Sequence, residues 1–598
     1  MARNRFDMDE QIESPFNWQQ FKRILTYTRP YQGILSKTLV LLILGAALSL
    51  MTPMIMRRVI NVTIPSKSVT ELLLLTLAYM TLIGISSLFS FWRMRQMNHV
   101  GQSIIHDIRL DMFKHLQKLS FTYFDSRPHG KIQTRLINYV NSVSDLLSSG
   151  IVNSIVDLFS VVIILIYMIW MDPLLTLYAM AGLPFMFAVV FFFKNKQRKA
   201  QQRLNAKSSN LNAYSQESIE GMEISQLFGR EEVNREIYHG LGSQFHRAWM
   251  HTVKLNMTLW PAIDVISNAT IVFLYVAVVL WLKNRYGGPT NVGTIVAFVD
   301  YVRRFWGPII NLANFYNQLL SGASYIERIF EFLDEKPAVS DNENAVEMPK
   351  IKGEVKFENV TFSYEPGSPI LKNLSFTVKP GETIALVGET GAGKTTVLNL
   401  LSRFYNIDSG KILIDGVDIS KVTLDSLRRS MGVMLQEPYL FPISIMENIR
   451  YGRLEASDEE CIKAAKDIIA DPFIQKHENG YMTEIQEKGA GVSTGERQLI
   501  SFARVMLADP GLLILDEATS GIDTRTERAV QEALGRLMKG RTSFVVAHRL
   551  STIQNADRIF YIGKGGILEE GSHEELLLKN GYYAALHKAQ LEETATRY

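Results

Sequence analysis

The sequence predicts a membrane α-helical domain of six transmembrane helices followed by a soluble α/β domain. Two observations indicate this fold class: long apolar runs fill the first half of the chain, and a strand and glycine-rich-loop pattern follows residue 352. The averages over 598 residues conceal the division, because 47% hydrophobic and 21% charged residues are ordinary for a folded protein. We predict an N-terminal segment at 1–37, the membrane domain at 38–333, a linker at 334–352 and the α/β domain at 353–598.

Five apolar runs are long enough to cross a bilayer, whose hydrocarbon core of about 30 Å requires about 20 helical residues. Each contains at most one charged residue. Core helices of soluble proteins usually carry apolar stretches of only about 10–14 residues, which excludes a soluble ATPase or other soluble enzyme. A sixth, weaker candidate, Val292–Leu320, contains Asp300, Arg303 and Arg304. The five runs are Thr38–Met56, Leu72–Trp92, Leu146–Met171, Pro173–Phe193 and Leu255–Leu282.

The basic residues predict the orientation of these spans. Arg93–Asp145 contains eight Lys or Arg residues and Lys194–Lys254 contains ten, whereas Arg57–Glu71 contains three and Lys283–Thr290 two. Basic residues favour the cytoplasmic side, so the long segments, both termini and the α/β domain are expected there, on a multi-pass protein of the cell membrane. The long segments have helical periodicity and are expected to extend membrane helices into the cytoplasm, with turns near Phe121–Arg127 and Gly221–Gly229.

The charged stretch Trp18–Lys37 is amphipathic and precedes the first span. It lies too far along the chain for a cleaved secretory signal, and we interpret it as an interfacial elbow helix. Lys and Arg total 63 against 60 Asp and Glu, a net charge of +3 that gives no indication of a nucleic-acid partner. The single cysteine, Cys461, excludes an intrachain disulfide and paired-cysteine chemistry.

A phosphate-binding loop (P-loop) lies near the start of the α/β domain. The polar, acidic stretch Asp334–Pro349 has the composition of a linker, and Thr383–Val387 reads as a buried strand. The following Gly388-Glu-Thr-Gly-Ala-Gly-Lys394-Thr395 matches G-x-x-x-x-G-K-[ST] and leads into a predicted helix, Thr395–Phe404. Glycines let backbone N–H groups surround phosphates, Lys394 can reach the β- and γ-phosphates, and the Thr395 hydroxyl can bind Mg²⁺. The sequence therefore predicts ATP as ligand and Mg²⁺ as its metal.

A second motif, which is acidic, lies 122 residues after Lys394 of the loop. Leu512-Leu-Ile-Leu-Asp516-Glu517 predicts a buried strand with two carboxylates at its carboxyl end. Asp516 would hold the metal through its water shell, and Glu517 would orient and polarise the attacking water. Together the two motifs predict an ATPase.

With these motifs, the α/β domain resembles the nucleotide-binding domain of ATP-binding cassette (ABC) proteins. From about residue 18 to about residue 590, the chain resembles a half-transporter of the ABC exporter family, of the multidrug or lipid type. Further motifs occur in the family's order: the adenine-stacking aromatic, the Q-loop, the signature, the D-loop and the switch histidine. They correspond here to Tyr364, Gln436, Ser493–Arg497, Asp523 and His548.

The resemblance implies a set of site residues. It assigns catalysis to Glu517, His548 and Gln436, and Mg²⁺ binding to Thr395, Gln436 and Asp516. In the membrane half, Tyr123–Arg135 and Glu220–Glu231 resemble the two cytoplasmic exporter motifs, and Glu487 lies in the stretch that would contact them. The residues that it assigns to ATP are Tyr364, Gly388, Glu389, Thr390, Gly391, Ala392, Gly393, Lys394, Thr395, Thr396, Ser493, Gly495 and Asp523.

The signature departs from the family's Ser-Gly-Gly-Gln. Ser493 and Gly495 remain, but Thr494 adds a side chain to a tight approach and Glu496 adds an anion near polyphosphate, which is unfavourable. In this family two domains enclose two ATP molecules, each between the P-loop of one domain and the signature of the other. We therefore expect a second, different half-transporter as partner and one weakened ATP site. A homodimer that tolerates Thr and Glu is the alternative.

The resemblance implies ATP-driven export of hydrophobic or amphipathic compounds, namely drugs, lipids or peptides. A lipid flippase is the alternative; a gated channel, an importer and a peptide-processing exporter fit less well. Three aspartates, Asp157, Asp264 and Asp300, lie in predicted spans, where charges usually face a bundle interior or a cavity. They would attract a cationic amphiphile, or they are structural, as an Asp300 pair with Arg303 or Arg304 would be.

Overall fold

The computed structural model describes residues 18–125, 127, 129–280, 292–365, 367–434, 438–486, 491–516, 524–547 and 550–596. The chain forms two compact units. The first lies within Met1–Gln117 and His129–Glu335, and the second within Lys118–Pro128 and Lys336–Tyr598. We call them the membrane unit and the sheet unit.

The described residues of the membrane unit form helices joined by short turns. Several of its helices are much longer than a bilayer requires, as the sequence predicts: Val69–Leu116 has 48 residues and Glu231–Leu280 has 50. At 1.5 Å per residue, each is about 70 Å long, more than twice the hydrocarbon core. Its α-helices are Trp18–Thr26, Gln32–Leu50, Thr52–Arg58, Val69–Leu116, His129–Thr134, Val140–Asp145, Ile151–Met171, Pro173–Ala179, Leu183–Glu220, Met222–Leu227, Glu231–Leu280 and Val292–Leu333.

Short irregular helices interrupt or join these elements. By length and composition, five helical segments of the described chain can cross a membrane: Arg29–Thr63, Val69–Leu116, Ile151–Met171, Pro173–Glu220 and Glu231–Leu280. Each overlaps one predicted apolar run. The sixth predicted span lies in the helix Val292–Leu333. The connecting elements are 3₁₀ turns at Arg29–Tyr31 and Met180–Gly182 and π-helical turns at Val59–Thr63, Arg135–Tyr139 and Leu146–Gly150.

The predicted interfacial helix is shorter than Trp18–Lys37. It covers only Trp18–Thr26, and a 3₁₀ turn that contains Pro30 separates it from the helix Gln32–Leu50. Pro30 has no N–H to donate to the Thr26 carbonyl oxygen, so the α-helical hydrogen bonds end there and the amphipathic stretch divides. Phe21 and Ile24 are buried against the unit.

Several polar side chains of the membrane unit pair with backbone or with each other. The buried Tyr301 hydroxyl donates to the Leu50 carbonyl oxygen at 2.7 Å. Arg304 lies 3.0 Å from the Asp300 carboxylate and also donates to the Ser49 carbonyl oxygen. The structural alternative for Asp300 is therefore confirmed, through Arg304, whereas Asp264 is exposed.

The sheet unit contains a six-stranded and a four-stranded sheet in its described residues. The strands are β1 Val355–Ser363, β2 Pro369–Val378, β3 Thr383–Val387, β4 Ser409–Ile414, β5 Val417–Asp418, β6 Met431–Met434, β7 Leu512–Asp516, β8 Thr542–Val546, β9 Arg558–Gly563 and β10 Gly566–Gly571. In the six-stranded sheet the order is β10-β9-β3-β8-β7-β6, with parallel pairing from β9 to β6 and an antiparallel edge strand, β10. In the four-stranded, antiparallel sheet the order is β2-β1-β4-β5.

The central strands are buried on both faces, which accounts for their continuous apolar sequences. Successive side chains of β3 alternate between two hydrophobic cores: Ala385 and Val387 join one, Ile384 and Leu386 the other. The helices that pack over the sheet, with their connecting turns, complete both cores. They are Lys394–Leu401, Ile419–Lys421, Leu424–Arg429, Ile445–Arg450, Asp458–Asp467, Asp471–Ile474, Gly480–Met482, Thr494–Ala508, Thr524–Met538, Leu550–Gln554, His573–Lys579 and Tyr582–Thr596.

The segment Lys118–Pro128, from the first predicted cytoplasmic motif region, belongs to the sheet unit. Its short helix Phe121–Asp125 packs beside the end of the helix Lys394–Leu401, which follows the phosphate-binding loop and is called the P-loop helix below. Phe121 stacks on Phe404 with ring centroids 5.3 Å apart, and the Tyr405 hydroxyl donates to the Asp125 carboxylate at 2.8 Å. Burial and the Asp125 carboxylate both raise the pKa of Tyr405, so this hydroxyl keeps its proton.

The buried Thr542 tests how strongly the sheet unit depends on side-chain hydrogen bonds at strand starts. Its hydroxyl donates to the Gly353 carbonyl oxygen and accepts from the Gly381 N–H, both at 2.8 Å. Thr542→Val would remove both hydrogen bonds and leave the carbonyl oxygen of the buried Gly353 without this partner, at a cost of about 1–3 kcal/mol. We expect the thermal midpoint of the full-length protein to fall by several degrees, while Thr542→Ser stays close to wild type. Equal midpoints for the Val and Ser variants would contradict this account.

Candidate nucleotide site

The glycine-rich loop lies where β3 ends and the helix Lys394–Leu401 begins. Gly388, Gly391 and Gly393 have φ values of +142°, +81° and +104°, a region that favours glycine. A Cβ at Gly388 would also collide with the carbonyl oxygen of Ile562. The loop can therefore form only with glycine at these positions, and it presents backbone N–H groups and a helix N-terminus to an anion.

Lys394 is held at the centre of this loop. Its ammonium donates to the carbonyl oxygens of Gly388 and Glu389, both at 2.8 Å, and the residue is 8% exposed. Burial lowers the pKa of Lys394, and the nearby Asp516 carboxylate acts in the opposite direction. A buried ammonium held by loop carbonyls is positioned to meet a phosphate that enters the loop.

Asp516 brings the second predicted motif to the loop. It ends β7, which lies two strands from β3 in the parallel part of the sheet, so both carboxyl ends lie at one edge. The Thr395 hydroxyl donates to the Asp516 carboxylate at 3.3 Å. A hydroxyl and a carboxylate in contact form the hard oxygen set that Mg²⁺ prefers, so these residues fit the predicted metal.

Tyr364 stands beside the helix that follows the loop. Its hydroxyl is 3.3 Å from the Thr396 hydroxyl, and Asn399 donates to it at 3.4 Å. The ring packs edge-on against Tyr405, with centroids 5.0 Å apart at 88°. Tyr364 is 43% exposed, so part of its ring is available for stacking with a flat heterocycle.

The signature segment forms a capping box. Ser493 is the N-cap of the helix Thr494–Ala508: its hydroxyl oxygen accepts from the Glu496 N–H, and the Glu496 carboxylate accepts from the Ser493 N–H at 2.9 Å. The same carboxylate also accepts a hydrogen bond from the Ser493 hydroxyl, with 3.0 Å between Oγ and Oε2. His477 Nε2 lies 4.0 Å from the second Glu496 oxygen. Glu496 is thus bound to the serine that the signature would present to a phosphate.

The structure brings some of the predicted residues together. Hydrogen bonds join Lys394 to Gly388 and Glu389, Thr395 to Asp516, and Tyr364 to Thr396, whereas the hydrogen bonds of Ser493 lie within the start of its own helix. The remaining loop residues, Thr390 and Ala392, lie in the same turn, and Gly495 is buried in the signature helix. Outside the described residues lie Gln436, Glu487, Glu517, Asp523 and His548.

Sequence reasoning missed two features of the site. Tyr405 contacts both Tyr364 and Asp125, and its signal was the aromatic pair Phe404-Tyr405 directly after the P-loop helix. The capping role of Glu496 was also missed, although Ser-x-x-Glu before an apolar run is the usual pattern of a capping box.

Family models match both parts of the chain. The model described as ABC transporter transmembrane region matches residues 35–309, and the model described as ABC transporter matches residues 371–520. The first match covers membrane helices, and the second covers the P-loop, the signature and Asp516.

Several curated proteins are similar to the chain over most of its length. An uncharacterized ABC transporter ATP-binding protein, YknV, from Bacillus subtilis is 41% identical over 99% of this chain and 98% of its own. A fatty acid ABC transporter ATP-binding/permease protein from Mycobacterium bovis is 38% identical over 86% of this chain and 81% of its own. An ATP-dependent lipid A-core flippase from Syntrophus aciditrophicus is 34% identical over 99% and 98%.

Among solved structures, a bacterial Atm1-family ABC exporter with ATP bound has a TM-score of 0.78 and 28% identity, covering 94% of this chain and 98% of its own. The structural match covers nearly the whole chain, and the Mycobacterium bovis relative is named for both an ATP-binding and a permease part. The chain therefore belongs to the ATP-binding cassette transporter family, as an exporter-type half-transporter that combines a multi-pass membrane region with an ATP-hydrolysing domain.

Proposed function

We propose that the chain exports hydrophobic or amphipathic compounds as one half of a heterodimer with one weakened ATP site. The observation that carries the proposal is the capping box, in which the hydroxyl of the signature serine donates a hydrogen bond to the Glu496 carboxylate. A hydroxyl has a single proton, so the same group cannot also donate to a γ-phosphate while this bond persists. The signature of this chain would then serve the ATP site of its partner poorly.

The two cores of the sheet unit support the need for a second nucleotide-binding domain. Val397 and Leu398 of the P-loop helix belong to one core, and Leu499, Ile500 and Phe502 of the signature helix belong to the other. The P-loop helix and the signature helix therefore pack on opposite faces of one sheet. The P-loop of this chain would be completed by the signature of another chain, and its signature by the other chain's P-loop.

We assign the hydrolytic site to the P-loop of this chain and the signature of the partner. Lys394 would contact the phosphates, and Tyr364 would stack on adenine. Asp523 of the D-loop would contribute to ATP binding, and Gln436 of the Q-loop to the metal site. Mg²⁺ bound by Thr395, Gln436 and Asp516 would offset negative charge that develops on the phosphates. Glu517 would accept a proton from the attacking water, and His548 would contact the γ-phosphate.

The orientation follows from the basic residues. Eight and ten Lys or Arg residues in the two long segments, against three and two in the opposite connections, support a cytoplasmic sheet unit and cytoplasmic termini. ATP would bind two domains at once and favour the closed dimer, and hydrolysis would release it. A nucleotide can drive the membrane helices only if it binds the two states with different affinities.

Lipids are the first cargo class to test. Two of the relatives reported above are named for a lipid cargo, a fatty acid transporter and a lipid A-core flippase, and both are similar over most of their length. Purification of the tagged chain from its host, followed by vesicle transport assays, tests the proposal. Recovery of an equimolar second half-transporter and ATP-dependent lipid movement would support it. A stable homodimer with cooperative, normal ATP turnover would contradict the heterodimer.

Glu517→Gln should abolish most ATP hydrolysis in the assembled transporter while ATP binding remains. The amide keeps the size of the side chain but cannot accept the water proton, a role that typically contributes about 10²–10⁴-fold to the rate. Steady-state phosphate release and nucleotide binding would be measured on the same preparation. Unchanged turnover would remove Glu517 from the proposed role.

Glu496→Gln should increase ATP turnover of the chain purified alone, and Thr494→Gly combined with it should increase turnover further. The neutral amide accepts the Ser493 hydroxyl less strongly than the carboxylate does, and a hydrogen bond to a charged group contributes about 1.5–3 kcal/mol, or about tenfold or more. Glu575→Gln is the matched control, because Ser572 and Glu575 form a capping box of the same type away from the signature. An equal effect of both substitutions, or none, would refute the proposed weakening.

Tyr405→Phe should retain basal ATP turnover and reduce its stimulation by transported compounds. The change removes the hydrogen bond to Asp125 but preserves the ring contact with Tyr364. Tyr481→Phe is the control, because Tyr481 donates to Asp471 at 2.7 Å in the same unit without touching the P-loop helix. Stimulation that stays at the wild-type level would exclude Tyr405 from coupling.

A further inference from the structure

A polar cavity of about 450 Å³ lies within the membrane unit. It forms where the second span ends at Arg93, where the helix Ile151–Met171 begins, and beside the middle of the helix Val292–Leu333. A volume of this size accommodates a small polar group, and ligand cavities commonly span about 300–1,000 Å³. In the orientation proposed above, this is the cytoplasmic end of the spans.

One cationic and one anionic side chain line this cavity. Arg93 donates to the Asn153 side-chain oxygen at 3.3 Å, and the Asp157 carboxylate accepts from the Asn311 amide at 3.4 Å. Within the described part of the chain, the ion pairs include neither Arg93 nor Asp157. A guanidinium has five N–H donors and a carboxylate about four acceptor positions, so each retains hydrogen-bonding capacity.

This arrangement differs from that of the other membrane aspartates. Asp300 is paired with Arg304 at 3.0 Å, which accounts for it structurally, and Asp264 is exposed and does not line the cavity. Charges in a membrane domain are costly and usually face an interior or a cavity with a function. Arg93 and Asp157 face one cavity together, with neutral amides as their hydrogen-bonding neighbours.

One aromatic side chain, Phe315, also lines the cavity. A Cβ at Gly150 would lie 3.0 Å from its ring and 3.3 Å from the Gln318 side-chain oxygen. The absence of a side chain at Gly150 thus lets the helix Val292–Leu333 approach closely. An aromatic face attracts a cation, and beside Asp157 it favours an ammonium group.

We infer that this cavity binds the head group of an amphiphile that carries a cationic and an anionic group, such as an ammonium with a phosphate or carboxylate. Asp157 and Phe315 would receive the cation, and Arg93 the anion. A head group of one charge would meet one like charge, which is unfavourable in a poorly screened cavity. The apolar tail would lie on exposed surface nearby, where Phe91 and Leu158 are 61% and 55% exposed. The inference rests on the proposed export function and specifies its cargo class.

The test uses the full transporter in lipid nanodiscs and four probes with one dodecyl chain. Their head groups are phosphocholine, trimethylammonium, phosphate and maltoside, and binding is measured below micelle concentrations. We expect dodecylphosphocholine to bind most tightly. Asp157→Asn should weaken it by about tenfold and shift the preference toward dodecyl phosphate, as expected for loss of one charge-assisted contact. Arg93→Gln should shift the preference toward dodecyltrimethylammonium.

Asp264→Asn is the matched control and should leave the order of binding unchanged. Equal affinity for the four head groups, or an order that neither Arg93→Gln nor Asp157→Asn alters, would overturn the inference. Vesicle transport is measured separately. Head-group-dependent binding without transport of any amphiphile would support the cavity assignment and refute the export function. Transport of amphiphiles without this head-group order would refute the cavity assignment alone.

Discussion

The alternation of side chains across the parallel sheet determines the arrangement of the sheet unit. Because β3 is buried on both faces, its residues contribute in turn to two hydrophobic cores. Parallel pairing then brings the carboxyl ends of β3 and β7 to one edge, where the P-loop, Thr395 and Asp516 meet. The same alternation separates the P-loop helix from the signature helix. A single sheet thus carries the P-loop helix on one face and the signature helix on the other.

Much of this fold could be predicted because burial leaves a direct imprint on sequence. The strand Thr383–Val387 has the predicted bounds, and the four-residue apolar strand predicted from Leu512 extends by one residue to Asp516, since a buried parallel strand is a short apolar run between polar turns. The apolar runs located the membrane helices for the same reason. The interfacial helix was overextended because amphipathic periodicity continues through Pro30, which cannot donate the backbone hydrogen bond that would continue the α-helix.

Interactions between distant parts of the chain could not be predicted in this way. Tyr405 meets Asp125 across 280 positions, and neither residue alone differs from an ordinary surface tyrosine or aspartate. Asp157 and Asp300 are both single carboxylates in apolar helices, yet one pairs with arginine and the other lines a cavity. Glu496 illustrates a different difficulty, since its sequence position suggests an anion aimed at phosphate while its carboxylate caps a helix.

The continuous helix Val69–Leu116 has a mechanical consequence. Its 48 residues contain no proline, so it resembles a stiff rod of about 70 Å. A tilt of about 5° about one end displaces the other by about 6 Å, roughly one helical turn. Ångström-scale rearrangements at one tip can thus become sizeable excursions at the opposite tip without any hinge along the rod.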